Sequence, residues 1–275
     1  MNPSPPIIAA VNFSGTAANA VTYAAGLAKT IGSKLILFNS FTLSIHSSNS
    51  RISAEGMQKE LESAAYRLDS LGKDMAALFD IEVECFCSYS FLEQELQHII
   101  EQSKASLVVM GMAERTFEQE LLGNTTTSVI KNLNIPVLAV PFNARFKDAK
   151  KILFACDSLS FSSAEKYSWF MQIAAALQAE VEFFSVDEKV EYLIEEQGNR
   201  NAEDREAFEN VKFVYKSIRS STVVNEIKQE ITNYDADILV MVPQKYGFWD
   251  SLVHISKTRI MAAGLDIPLL SIPNF

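Results

Sequence analysis

The sequence predicts an α/β protein built from two tandem, doubly wound parallel sheets. Short apolar runs, among them IIAAV, LILF, LVVM and VLAV, alternate with segments whose apolar residues recur every three or four positions. These runs are almost unbroken by polar residues, as expected of strands covered on both faces. The end of one half also reappears in the other: ASLVVMGMAERTFEQELLGNTTTSVIKNLNIPVLAVP from Ala105 aligns with ADILVMVPQKYGFWDSLVHISKTRIMAAGLDIPLLSIP from Ala236.

The elements follow in order. Residues 6–12 are too short for a helix and read as a strand. Ala17, Val21, Ala24, Ala28 and Ile31 then mark a helix over 17–31, and KLILFN (34–39) a second strand. A Ser-rich loop leads to a long helix from Ser53, with Met57, Leu61, Ala64, Leu68, Leu71, Met75 and Leu78 as one apolar stripe. Residues 81–87 read as a strand, 91–102 as a helix, 106–110 as a strand, 124–133 as a helix and 137–140 as a last strand. Strand–helix alternation of this kind gives parallel sheets with right-handed crossovers.

The repeat pairs Met110 with Met241, Phe117 with Phe248, Leu121 with Leu252 and Thr127 with Thr258. After one inserted residue it pairs Ile135-Pro136 with Ile267-Pro268 and Pro141 with Pro273. The starts match as well: IIAAVNFS from Ile7 and ILFACDSL from Ile152 end in Asn12 and Asp157. Two domains, 1–145 and 146–275, are expected to meet near NARFKDAK (143–150), a link without a Pro/Gly-rich spacer, and to pack closely.

Composition narrows the function. A net charge of −10 argues against nucleic acid or an anionic membrane as the main partner. No apolar run reaches the ~18–20 residues that span a bilayer. The start, MNPSPPIIAAVNF, has no basic region ahead of its apolar run, so no leader is expected. Cys85, Cys87 and Cys156 make no disulfide framework and read as buried, reduced thiols of a cytoplasmic protein.

The layout resembles the universal stress protein family in its tandem form. The resemblance rests on AVNFSGTAANAVTYAAGLAKTIGSKLILF, on SLVVMG…LLGNTTTSVIKNLNIPVLAVP, and on their counterparts in the second half. It implies Rossmann-like, adenine nucleotide alpha hydrolase-like domains forming a pseudo-dimer, with Val137–Val140 pairing against Leu269–Ile272 inside one chain and further homodimerisation left open. It also implies an adenine nucleotide, ATP or AMP, with magnesium as companion ion. Nucleotide-binding members carry an Asp after the first strand and a Gly-x2-Gly-x9-Gly-Ser/Thr loop after the fourth. Such a loop opens a helix whose free N–H groups and dipole face the phosphates.

Here Gly111 takes the first glycine and Gly123 the last, but Glu114 stands at the middle one, and the following spacer is eight residues, one short of the pattern. Asn124 replaces the hydroxyl, with Thr125 and Thr126 next. Asn12, followed by Phe13, replaces the Asp; an amide offers both a donor and an acceptor to a base. Arg115 reads either as a phosphate contact from the loop, as a solvated charge, or as a partner to Glu118 or Glu114. The candidate cofactor site is therefore Asn12, Phe13, Gly111, Arg115, Gly123, Asn124, Thr125 and Thr126. The second half keeps Asp157 but has Val242 and His254 at the two glycine positions, and Phe248 and Trp249 add bulk; no nucleotide is expected there.

No catalytic residue or metal site is assigned. His46 and His98 lack ligand-type neighbours, His254 beside Ser256 is not read as catalytic, and the acidic stretch 187–209 reads as a solvated helix. GxSxG, HExxH, Walker and CxxC patterns are absent. Two readings stand: an adenine-nucleotide-binding stress protein with at most slow ATP hydrolysis, or an assembly protein that binds no nucleotide and contacts an unknown protein partner.

Overall fold

The computed structural model describes residues 4–41, 54–112, 123–147, 149–156, 164–187, 211–242 and 265–273. The first half contains strands β1 (Ser4–Ala10), β2 (Ser33–Phe41), β3 (Val83–Tyr89), β4 (Leu107–Gly111) and β5 (Val137–Val140). Helices α1 (Gly15–Ile31), α2 (Ala54–Phe79), α3 (Leu92–Ser103) and α4 (Gly123–Asn132) follow its first four strands in turn. The second half contains β6 (Lys151–Cys156), α5 (Ala164–Leu177), β7 (Glu180–Asp187), β8 (Lys212–Arg219), α6 (Val223–Tyr234), β9 (Ile238–Met241) and β10 (Leu269–Ser271).

These strands form one sheet in the order β3-β2-β1-β4-β5-β10-β9-β6-β7-β8. Neighbours are parallel throughout except β5 and β10, which meet antiparallel with Leu269 opposite Ala139, Leu270 opposite Leu138 and Ser271 opposite Val137. The two halves share one strand order on either side of that seam, the pairing that the resemblance implies. Alternate residues of each strand serve two apolar cores. Ile7, Ala9, Leu35, Leu37 and Leu107 pack under α1, α2 and α5, while Ile8, Ala10, Ile36, Phe38 and Val108 pack under α3, α4 and α6. This explains the unbroken apolar runs: neither face of a central strand meets water.

Local signals set the helix ends. Ser14 caps α1, its Oγ accepting the Ala17 N–H at 3.2 Å, and Gly32 closes the helix at φ 66°. Two expectations need correction. Leu78 does not belong to the buried stripe of α2, since 68% of it is exposed; the stripe passes from Leu68 and Met75 to Phe79, which packs on the core. The strand expected from residue 81 begins at Val83. Cys85 and Cys87 are free, half-buried and on the α2 side of β3, and burial pushes the Cys85 thiol up to about 11. The side chain of Cys156, the Ser-rich loop and nearly all of the acidic stretch lie outside the described residues.

The link between the halves is clamped onto α1. Asn19 Nδ2 donates to the carbonyls of Pro141 and Ala144, both at 2.8 Å, and the Arg145 guanidinium donates to Asn19 Oδ1 at 2.6 Å. The Phe146 ring meets Tyr23 edge-on, with centroids 5.2 Å apart. Phe146 also fills the space over Gly26, where a Cβ would lie 2.5 Å from the ring. Gly26 therefore sits in mid-helix, at a cost in propensity, because the linker aromatic requires the room.

The outer edge of the second half holds a buried carboxyl pair. Glu182 on β7 and Glu230 on α6 are 6% and 5% exposed. The Lys216 ammonium donates to Glu230, whereas Glu182 Oε1 has no hydrogen-bond partner among the described residues. Burial first, and then Glu230, push the Glu182 carboxyl up to about 7.

Two outcomes follow from this packing. Gly26→Ala is expected to destabilise the native chain by about 1–3 kcal/mol through overpacking, yet to stabilise a Phe146→Ala variant by about 0.5–1 kcal/mol through helix propensity. Urea unfolding of the four proteins measures both, and equal effects in the two backgrounds would refute the clash. At the second edge, unfolded Glu182 titrates near the ordinary glutamate value of about 4.3. The folded form keeps its proton up to about 7, so stability present below pH ~4.3 is lost as pH rises through that window. Glu182→Gln, which mimics the protonated acid, is expected to raise the melting temperature by about 2–6 °C at pH 8 and to leave it unchanged near pH 4.5.

Candidate functional site

In the first half the strand order reverses between β1 and β4, which lie side by side. The chain leaves β1 towards α1 on one face and enters α4 on the other. A crevice therefore opens beyond the carboxyl ends of these two strands, the place where such sheets take ligands.

Asn12 occupies the β1 side. Its Oδ1 accepts the Ser14 backbone N–H at 3.1 Å and the Ser14 hydroxyl at 2.7 Å. Because the backbone N–H can only donate, the atom facing it is the amide oxygen, and both its lone pairs are engaged. The Asn12 NH2 has no partner among the described residues and the side chain is exposed. A carboxylate at this position would accept from an exocyclic amine; Asn12 is left to donate, for instance to an aromatic ring nitrogen. The strand end beneath it is stitched by the buried Asn39, whose Nδ2 donates to the Val11 carbonyl at 2.6 Å. Phe13 adopts φ 59°, the left-handed region that a bulky residue rarely enters, and its ring lies under the Arg67 guanidinium, 4.1 Å from the centroid.

Gly111 ends β4 on the other side. A Cβ there would lie 2.9 Å from the backbone carbon, carbonyl oxygen and Cγ2 of Thr16 in the first turn of α1. The glycine is thus required by close approach of a helix, whatever else it serves. The buried Thr126 reaches it through a long hydrogen bond, Oγ1 to the Gly111 carbonyl at 3.4 Å. Gly123 is the first residue of α4, so the opening N–H groups of that helix, which have no partner within it, belong to Gly123, Asn124 and Thr125. Glu93 pins α4 in place: its carboxylate accepts the Ser128 hydroxyl and, at 2.8 Å, the Asn132 amide. Backbone donors at a helix start thus stand on the β4 side of the switch point and an exposed amide NH2 on the β1 side.

The structure thus brings together Asn12, Phe13, Gly111 and Thr126, and places Gly123 and the exposed Thr125 in the first turn of α4. Arg115, Glu114 and the Asn124 side chain lie outside the described residues, as do Asp157, Phe248, Trp249, His254, Ser256 and His46. Val242 is half-buried against the core. His98 hydrogen-bonds with Gln102, at 2.8 Å, on the exposed side of α3. Among the described residues no group of three or more His, Cys, Asp or Glu is placed to hold a metal ion, and no helix is long and apolar enough to cross a membrane.

Three participants escape sequence reasoning. Ser14 carries a recognisable signal, a hydroxyl residue just ahead of a helical apolar period. Asn39 shows as one polar residue at the end of an apolar run. Arg67 carries no signal, because only tertiary packing brings it over Phe13.

A doubly wound sheet whose strand order reverses between β1 and β4 defines the broad class. The universal stress protein family profile matches residues 4–141, and the chain belongs to that family. Among solved structures, a universal stress protein from Archaeoglobus fulgidus DSM 4304 aligns over 98% of both chains at 14% identity with a TM-score of 0.75. A functionally unknown protein from Pseudomonas aeruginosa PAO1 aligns over 98% of this chain and 92% of its own, at 15% identity and a TM-score of 0.55. These two likenesses concern the fold. No curated protein matches the chain.

The contact at Gly111 has a direct test. Gly111→Ala is expected to lower the unfolding free energy by about 1–3 kcal/mol in the absence of any ligand, since the first turn of α1 must shift. An unchanged urea midpoint would show that the glycine is not a packing requirement.

Proposed function

We propose that the first half is an adenine-nucleotide-binding module, taking ATP or AMP, with a regulatory role in a cytoplasmic stress response. The observation that carries this reading is the convergence, at one switch point, of Gly111, Thr126 and the opening turn of α4 with the Asn12–Ser14 turn. The free N–H groups and positive dipole end of α4 suit phosphate. The Asn12 NH2 suits a ring nitrogen of adenine. Magnesium would accompany a triphosphate as its counter-ion. The module binds and signals, with slow ATP hydrolysis at most. In the second half Val242 puts a β-branched side chain where the first half has Gly111, in keeping with a structural partner domain.

Two observations favour the second reading, an assembly protein without nucleotide. Thr16 packing alone accounts for Gly111, and capping of the next turn accounts for Asn12 Oδ1. The two readings separate in one experiment. Freshly purified protein is denatured and the supernatant analysed by mass spectrometry for adenine nucleotides, then ATP and AMP are titrated with and without magnesium. About one nucleotide per chain, or saturable binding that falls at least tenfold in a Gly123→Val variant, is the expected result. Binding that survives this substitution would remove α4 from the site. No release, with no binding at millimolar ligand, would overturn the nucleotide reading in favour of assembly.

A further inference from the structure

We propose that β3 is a docking edge for a second copy of this chain, with the two β3 strands pairing antiparallel about a twofold axis at Phe86. The surface is independent of the nucleotide reading. The ten-stranded sheet ends in β3 on one side and in β8 on the other. An edge strand offers a row of free N–H and C=O groups, which proteins guard with lysines, prolines or bulges. β8 is guarded by Lys212, Lys216 and Arg219. β3 reads VECFCSY, with no cation, no proline and an unbroken register against β2 from Val83 to Tyr89. Its one charge, Glu84, is already paired with Lys34. Of the seven large apolar side chains exposed among the described residues, Phe86, Tyr89 and Phe91 lie on this strand or just beyond it, so the open edge is also an apolar one.

Backbone geometry fixes the pairing. The Leu35 N–H donates to the Glu82 carbonyl at 2.9 Å, so the even-numbered residues of β3 turn their backbone groups towards β2. Val83, Cys85, Cys87 and Tyr89 therefore turn theirs outwards. In an antiparallel ladder the bonded pairs are residues whose groups face each other. Setting Phe86 opposite Phe86 of the second copy meets that condition and is the register that pairs the whole strand. Val83 then faces Tyr89, Cys85 faces Cys87 and Glu84 faces Ser88, with about eight backbone hydrogen bonds between the copies. The charges agree: each glutamate meets a hydroxyl, where another glutamate would repel it. A head-to-tail contact of β3 with β8 would set acids against cations, but Lys212 and Lys216 are already paired with Glu180 and Glu230, and such a contact does not close.

The helix over this edge leaves room for a second copy. Gly72 of α2 sits directly on Cys85, where a Cβ would lie 2.5 Å from Sγ. Ala65 and Ala76, seven residues before it and four after, share its side of the helix. Two copies of α2 therefore approach across the axis on small side chains. Asp69, beside the thiols of Cys85 and Cys87, brings a carboxylate to the same side, but it is exposed and solvent screens it. The chain already uses this device once, where β5 and β10 join its halves by antiparallel pairing. The β3 pairing extends the same sheet through the edge that remains open.

Sedimentation velocity of the full chain, from about 1 to 200 µM, is expected to show a reversible monomer–dimer equilibrium. Phe86→Lys sets two ammonium groups against each other on the axis and is expected to weaken the dimer by about tenfold or more. Val214→Lys, on the β8 edge, is expected to leave it unchanged. A cysteine on the axis reads the register. In a Cys85→Ser, Cys87→Ser, Cys156→Ser background, Phe86→Cys is expected to give a disulfide-linked dimer under mild oxidation, because the Cα atoms of a non-bonded pair lie about 4.5 Å apart, within disulfide reach. Melting curves confirm that each variant is folded. A chain that stays monomeric throughout, or a dimer that survives Phe86→Lys and falls to Val214→Lys, would overturn the proposal. So would masses that grow beyond the dimer with concentration, the mark of head-to-tail contact, or a dimer in which Phe86→Cys forms no cross-link.

Discussion

Everything in this molecule hangs on the seam between β5 and β10. The two strands are four and three residues long, they pair antiparallel, and they turn two five-stranded sheets into one. Both are fully buried, so the interface is a piece of core rather than a surface contact. Hydrogen bonds over so short a ladder orient the halves but do not alone hold them. The linker completes the attachment, with Asn19, Tyr23 and Gly26 of α1 receiving Arg145 and Phe146 from the chain that leaves β5. Two separate contacts, one in the sheet and one on its face, thus remove the hinge that a polar linker would otherwise provide.

The same economy of space shapes the crevice. The first turn of α1 approaches β4 so closely that residue 111 carries no side chain, and Thr126 closes over the glycine carbonyl from α4. Asn39 and Ser14 fix the end of β1 and the turn beyond it. Among the described residues the polar groups left over there are the N–H groups at the start of α4 and the NH2 of Asn12.

Much of the fold was legible because it depends on periodicity. The apolar runs became strands, the three-to-four spacing of α1 and α2 became buried stripes, and the duplicated passages became two halves with one strand order. What periodicity does not encode was missed or misplaced. Leu78 sits one step off the stripe that Phe79 completes, a difference of about 100° around the helix that spacing alone does not resolve. The start of β3 at Val83 depends on pairing with β2, a non-local matter. At the crevice, sequence pattern picked out Gly111 and Thr126 through a loop motif, yet the reason for Gly111 lies in Thr16, a hundred residues away along the chain by rough count. Arg67 over Phe13 is likewise a product of α2 packing against α1. The buried carboxyl pair Glu182–Glu230 was invisible because nothing local marks a glutamate for burial.

The antiparallel seam has a geometric corollary. Because every strand of the second half runs opposite to those of the first, the carboxyl ends of β1 and β4 lie on one rim of the ten-stranded sheet, and those of β6 and β9 lie on the other. The molecule is a two-ended plate whose ends share a core but no surface. Substituting valine for glycine at one rim does not crowd the other. Anything that approaches the rim at Gly111 therefore comes from the side opposite to the rim at Val242.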